Sequence, residues 1–345
     1  MHTTDTPTTT THDDETRPRP AVLTPDRPPG GLPPGGLPPD RAPTTGAPTT
    51  GDPTDRRPTD ELPPVGPVRR GLAAFAILMT LPYLALKVAW LAGSDIGLAE
   101  AGFGDSPGMI ALNVATAGLD VVALVLAVVL ITRRGIRAPA WLTLPPLWIG
   151  AGLLGQILVS MPVLLVAGIV DPPEPTTELP PIEGWVFGMV YAGFAGLGIG
   201  LLGAFAVYTW TRWGRRTLPP VTGGARAWLA TAATAVLGAS VVHLLVTDAG
   251  LVQRVIDLGI GSVAAGALWA LRTDGARRVA VVLAFAGTGA LAAWGTYLGV
   301  VTIVPNDLVV YDDLPWGTVV ASALRALAGI VGGLALVARL RGSGR

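Results

Sequence analysis

Residues 108–132 read GMIALNVATAGLDVVALVLAVVLIT, and Arg133 and Arg134 follow at once. One charge, Asp120, interrupts 25 residues that are otherwise apolar or small. A helix rises 1.5 Å per residue, so about 20 such residues cross a hydrocarbon layer of about 30 Å. The stretch is therefore predicted to be a membrane span. Working outward from it, seven more runs of similar length occur, at 71–92, 140–165, 185–210, 227–246, 253–271, 279–303 and 317–339. The run at 253–271 is the weakest, because Gln253, Arg254 and Asp257 occupy its first turns.

Composition agrees with this reading. Of 345 residues, 50% are hydrophobic and only 14% charged, which excludes a soluble enzyme or a secreted domain. The chain has no cysteine, so thiolate chemistry, zinc-cysteine sites and disulfides are excluded together. Lys87 is the single lysine among many arginines, a codon-level sign of a GC-rich bacterial genome.

Loop charges provide a separate test of the span count, because arginine and lysine are retained on the cytoplasmic side. One set of connections carries Arg69 and Arg70; Arg133, Arg134 and Arg137; Arg212, Arg215 and Arg216; Arg272, Arg277 and Arg278; and Arg339, Arg341 and Arg345. The other set carries Asp95, Glu100 and Asp105; Asp171, Glu174, Glu178 and Glu183; Asp248; and Asp307, Asp312 and Asp313, with Arg254 as its one basic residue. Eight spans, with both termini in the cytoplasm of a plasma-membrane protein, satisfy the rule at every connection. Tryptophans fit the same frame, since an indole favours the headgroup zone. Trp90, Trp185 and Trp316 fall at outer ends and Trp141, Trp210, Trp213, Trp228 and Trp269 at inner ends, while Trp148 and Trp294 lie deeper.

Residues 1–70 form a separate region. They hold 17 of the 32 prolines and repeat GGLPP at 30–34 and 35–39, followed by PTTGAPTTGDP at 43–53. Too little apolar surface is present to offset the entropy of ordering, so a disordered cytoplasmic tail is predicted, with polyproline II character. No apolar run follows the first methionine, and no cleaved signal peptide is expected. The tail is read either as an arm for a cytoplasmic protein partner or kinase, or as an inert solvated extension.

In lipid, helices associate through small residues that let backbones approach. Ala192, Gly196, Gly200 and Ala204 form one such stripe, and Gly329 and Gly333 a second pair. A faint echo links DIGL at 95–98 to DAGL at 248–251, each after an in-to-out span, which permits a parallel four-plus-four duplication.

Ionisable groups in hydrocarbon face a bundle interior or a water-filled cavity. The candidates are Lys87, Asn113, Asp120, Gln156, His243 and Arg325, most of which fall between the outer interface and the midplane. Asp120 is the deepest anion and requires a partner, with Arg325 and Lys87 the candidates by depth. Lys87 could instead snorkel to the outer headgroups past Trp90. Pro82, Pro145, Pro146 and Pro162 are expected either to kink the first and third spans and free carbonyls there, or to serve packing alone.

No HExxH, GxSxG or GxxxxGK[ST] pattern is present, so no catalytic residue, metal or cofactor is predicted. Ser240 and His243 share a helix at i, i+3 in GASVVH, with nothing to orient the imidazole. The arginines are explained by topology, and no nucleic-acid partner is expected.

The stretch PYLALKVAWLAGSDIG, with Pro82, Tyr83, Leu86, Lys87, Trp90, Gly93 and Gly97, resembles the first-span signature of uncharacterised multi-pass membrane proteins from high-GC Gram-positive bacteria. The resemblance implies an architecture, a proline-rich cytoplasmic tail on a Gly- and Ala-rich bundle, and no reaction.

Two functions therefore compete. One is a transporter-like bundle that binds a small solute or ion in a polar cavity opening outward, with Asp120 as coupling or ligand-binding carboxylate, Arg325 and Lys87 as counter-charges and His243 at the mouth. The other is a membrane scaffold or regulator that acts through the tail. A homo-oligomer is compatible with either.

Overall fold

The computed structural model describes residues 65–341 apart from 101, 133–137, 171–180, 214–217, 248 and 308–313. The tail and its partner or kinase reading lie outside the described residues. So do Arg133, Arg134, Arg137, Arg215, Arg216, Arg345, Asp171, Glu174, Glu178, Asp248, Asp312 and Asp313.

Eight helices are described: α1 Pro67–Leu91, α2 Pro107–Ile131, α3 Ala140–Val170, α4 Gly184–Trp213, α5 Gly223–Val246, α6 Leu251–Ala270, α7 Arg278–Ile303 and α8 Trp316–Arg341. Each is long and apolar enough to cross a membrane, so the chain is a polytopic α-helical bundle. No strand occurs among the described residues. A single antiparallel bridge joins Leu98 to Ile182, with Ala99 N–H on Pro181 O at 2.8 Å and Glu183 N–H on Gly97 O at 2.9 Å. Gly97 sits there at φ 76°, and a side chain at this position would run into Val186 and Trp185.

Starts are set locally. Ser106 accepts the Met109 amide at 3.3 Å ahead of Pro107 in α2, and Thr222 accepts the Ala225 amide at 3.2 Å in α5. The charged start of α6 also forms, because Arg254 donates to Ala249 O at 2.6 Å and Asp257 turns inward. Both α1 and α3 continue through Pro82, Pro145, Pro146 and Pro162, so these prolines do not end the spans.

Two apolar cores divide the bundle. Ala73, Ala76, Leu126, Leu154 and Leu201 belong to one, built from α1–α4; Leu229, Val236, Leu268, Leu291 and Leu336 belong to the other, built from α5–α8. Neighbour relations repeat as well: α1 touches α2 and α4 as α5 touches α6 and α8, and α3 meets α2 and α4 as α7 meets α6 and α8. The main seam between the cores runs along α3 and α7, with α3 also touching α6.

Small residues make the close approaches. A Cβ on Gly200 would lie 2.7 Å from Ala76 N and Leu72 O, and Gly196 rests on Met79, so the α4 stripe meets α1. Ala204 is fully buried on the same face, whereas Ala192 is exposed and falls outside the contact. Gly329 lies against Thr288 O and Ala292 of α7, and Gly333 against the Trp148 indole of α3.

Short connections make successive helices antiparallel, so the charges separate by end. At the basic end Arg339 donates to Leu271 O at 3.0 Å and to Pro219 O at 2.6 Å, satisfying carbonyls at the close of α6 and before α5. Asp274 also lies at this end, where it holds Arg226 at 3.1 Å and the Val221 amide. At the acidic end the Gly104 amide meets Asp307 at 3.3 Å. Trp141, Trp185, Trp210, Trp228, Trp269 and Trp316 are exposed near helix ends. The two deeper tryptophans bond between helices, Trp148 to Thr288 Oγ1 at 3.1 Å and Trp294 to Leu153 O at 3.3 Å.

Candidate functional site

Four helices bring four polar side chains together toward the acidic end. Gln156 comes from α3, His243 from the last turn of α5, Asp257 from the second turn of α6 and Arg325 from α8. All four are buried, Arg325 to 1% exposure. Asp257 Oδ1 accepts from Arg325 Nη2 and from Gln156 Nε2, each at 2.8 Å. Arg325 Nη2 also reaches Gln156 Oε1 at 3.3 Å, and its Nη1 lies 3.2 Å from His243 Nε2. The same imidazole nitrogen stands 3.6 Å from Asp257 Oδ2. A charge pair in this setting persists only because amide and imidazole groups satisfy its remaining hydrogen-bonding capacity.

This cluster borders a cavity of about 560 Å³. Gln156, His243 and Asp257 line it with Ser160, Gln253 and Thr302, while Ile157, Met161, Tyr191, Trp294 and Leu298 form apolar walls. Thr247, Ala249, Pro315 and Thr318 carry it to the connections α5–α6 and α7–α8. An apolar concavity with a few convergent polar groups has the form of a small-molecule site. Two polar atoms beside it, His243 Nδ1 and Ser160 Oγ, are buried without a partner.

A second pair lies apart from the cavity. Lys87 Nζ donates to Asp120 Oδ2 at 2.8 Å, both residues are buried, and the ammonium lies 4.1 Å from the centre of the Tyr83 ring. Two alternatives left open by the sequence are decided here. Of its two candidate partners Asp120 takes Lys87, because α1 is its packed neighbour whereas α8 belongs to the other core. Lys87 is fully buried and does not snorkel. His243 sits in the cluster beside Arg325 and also lines the cavity. Asn113 is half-buried two turns from Asp120 and joins neither group.

The residue that sequence reasoning left out is Asp257, which counted only as a weakness of the sixth span. A carboxylate two turns into a span, one short connection from the only intramembrane histidine, was the available signal. Ser240 Oγ donates to Val236 O at 2.8 Å, the next turn of its own helix.

Substituting Lys87→Met is expected to lower stability by about 1–3 kcal/mol, since it strands a carboxyl that can still neutralise by taking a proton. The double variant Lys87→Met, Asp120→Leu should recover much of that loss. Melting in detergent checks both, and a double variant worse than the single contradicts a clamp.

These observations define the chain as a polytopic helical membrane protein with an intramembrane polar cluster beside a cavity. No protein family, curated protein or solved structure matches it.

Proposed function

We propose that the protein is a transporter-like bundle of the cytoplasmic membrane that binds a small solute or ion in the cavity beside Asp257, Arg325, His243 and Gln156. The observation that carries this reading is the junction of a cavity of about 560 Å³ with a buried charged cluster contributed by four different helices. Asp257 takes the coupling role that depth alone gave to Asp120. With both termini in the cytoplasm, the acidic end faces outward and the cavity opens to that side. The protein then works by binding and release and performs no bond chemistry.

Single-cysteine labelling tests this, since the native chain has no cysteine background. Cysteines at Ile157 and Leu298, on the cavity wall, are expected to react with a membrane-impermeant thiol reagent added outside. Cysteines at Val159 and Val300, which face lipid, should not react. If none of the four is labelled in correctly inserted protein, the cavity does not communicate with water and the reading fails.

The sealed Lys87–Asp120 pair favours a second reading for the first core, a structural clamp in a scaffold that acts through the tail. Under that reading, removal of residues 1–66 abolishes the phenotype and neutralising the pair does not.

A further inference from the structure

The imidazole beside the cavity has an uneven hydrogen-bond inventory. Arg325 Nη1 lies 3.2 Å from His243 Nε2, and a guanidinium can only donate. The contact is a hydrogen bond only when Nε2 keeps its lone pair and the ring proton sits on Nδ1. Nδ1 is buried with no acceptor, although His243 borders the cavity. The protein thus leaves an N–H donor unsatisfied at the site, with the Ser160 hydroxyl, also unpartnered, along the same wall. Missing acceptors call for a ligand that supplies them.

Charge decides which kind of acceptor. With a neutral imidazole, Asp257 and Arg325 cancel, and an entering anion would leave one uncompensated negative charge in a buried site. His243 has a second position available. Asp257 Oδ2 stands 3.6 Å from Nε2, too far for a hydrogen bond now and within reach once Nε2 bears a proton. Protonated Nε2 donates to Asp257 and can no longer accept from Arg325, so Arg325 Nη1 is released to donate elsewhere. The groups that face the imidazole are Asp257 from α6 and Arg325 from α8, with Gln156 of α3 between them. Tyr191 of α4 is the other titratable residue on the cavity wall.

We propose that this cavity takes a small monoanion, a carboxylate, together with one proton, and that His243 holds the proton. The inference rests on the binding function proposed above. One N–H bond forms at Nε2 as one O–H bond of a hydronium ion breaks and leaves water, and no other covalent bond changes. Nδ1–H then donates to the anion, and the occupied site is neutral.

The test uses the full chain in nanodiscs, with benzoate as probe and benzamide as its uncharged isostere, followed by calorimetry in buffers of differing ionisation enthalpy. Benzoate is expected to bind with uptake of one proton, and to weaken about tenfold per pH unit on the alkaline side. Benzamide should bind without either effect, and His243→Gln should remove proton uptake with benzoate. In a chain carrying His2→Gln and His12→Gln, nitrogen NMR of the remaining imidazole should report the Nδ1–H tautomer at alkaline pH. Benzoate bound without a proton, or an Nε2–H tautomer, overturns the proposal. Binding of benzamide alone overturns the anion and leaves the cavity reading intact. Absence of both probes overturns the proposal alone if Ile157 and Leu298 positions label with thiol reagent, and both readings if they do not.

Discussion

Replacing Asp257 by alanine is expected to be among the most damaging single changes in the chain, with a loss of about 3–5 kcal/mol. Arg325 would keep its burial and lose its only anionic partner among the described residues. A guanidinium cannot escape by giving up its proton, which distinguishes this case from the carboxyl left behind at Asp120 when Lys87 is removed. The amide of Gln156 would lose its acceptor in the same stroke, since it donates to the same Oδ1 at 2.8 Å. Asp257→Asn should fall between wild type and alanine, because an amide oxygen accepts hydrogen bonds without supplying charge. Pairing Asp257→Asn with Arg325→Gln should restore stability beyond either single change, the non-additivity that residues in one network show. Thermal melting and the monodisperse fraction in detergent measure this series. Additive losses in the double variant would mean that the pair does not act as a unit.

What was legible in the sequence follows from the reach of each signal. A span needs only a local run of apolar residues, so each of the eight helices lies over its predicted segment and differs mainly at the ends, as where α3 continues to Val170. The arginine connections report topology one residue at a time, and the outcome is a chain whose described basic and acidic ends separate, with Asp274 as an added pairing partner at the basic end. Depth along the axis was legible too: of the six residues it selected, Lys87, Asp120, Gln156, His243 and Arg325 are buried and Asn113 is half-buried. Depth says nothing about azimuth, however, and partners are chosen by azimuth. Both Lys87 and Arg325 stand at a depth that suits Asp120. Adjacency decides between them, since α1 packs on α2 within one core while α8 lies in the other. Asp257 was passed over because a charge near a helix start lowers mean hydropathy whether it faces water or a partner inside the bundle. A sequence carries no term that separates these two cases until the neighbouring helices are in place.

The division into two cores gives the polar sites a common logic. Each core places a carboxylate on its second helix, Asp120 on α2 and Asp257 on α6, opposite a nitrogen base near the acidic end of its first helix, Lys87 on α1 and His243 on α5. The first pair is closed, because an ammonium at 2.8 Å and the Tyr83 ring occupy the space around it. The second has the longer base-to-acid gap, the added Arg325, and a cavity at its side. Gln156 joins the halves, since it reaches from α3 of the first core into the cluster of the second. The site therefore depends on how the two cores are docked.

That dependence leads to the second large effect, at a residue with no polar chemistry. Gly152→Val is expected to destabilise the bundle by at least the upper end of the about 1–3 kcal/mol usual for overpacking. Gly152 of α3 lies so close to Gly289 and Ala290 of α7 that a Cβ would collide with their backbone atoms, which cannot turn aside as a side-chain tip can. Relief requires α3 and α7 to separate along the seam between the cores. Trp148 on one side would then lose Thr288, and Gln156 one turn on the other would lose Asp257. Gly155→Ala on the same helix is the control: its Cβ would meet nothing within 4 Å, and removing a glycine from a helix interior should leave stability unchanged or raise it by up to about 1 kcal/mol. Melting temperatures of the two variants, read together with thiol labelling at Ile157, separate the effects. Gly152→Val should melt early and alter access to the cavity, and Gly155→Ala should do neither. Equal melting of the two would show that the seam yields without consequence, and that the polar cluster is held by its own core alone.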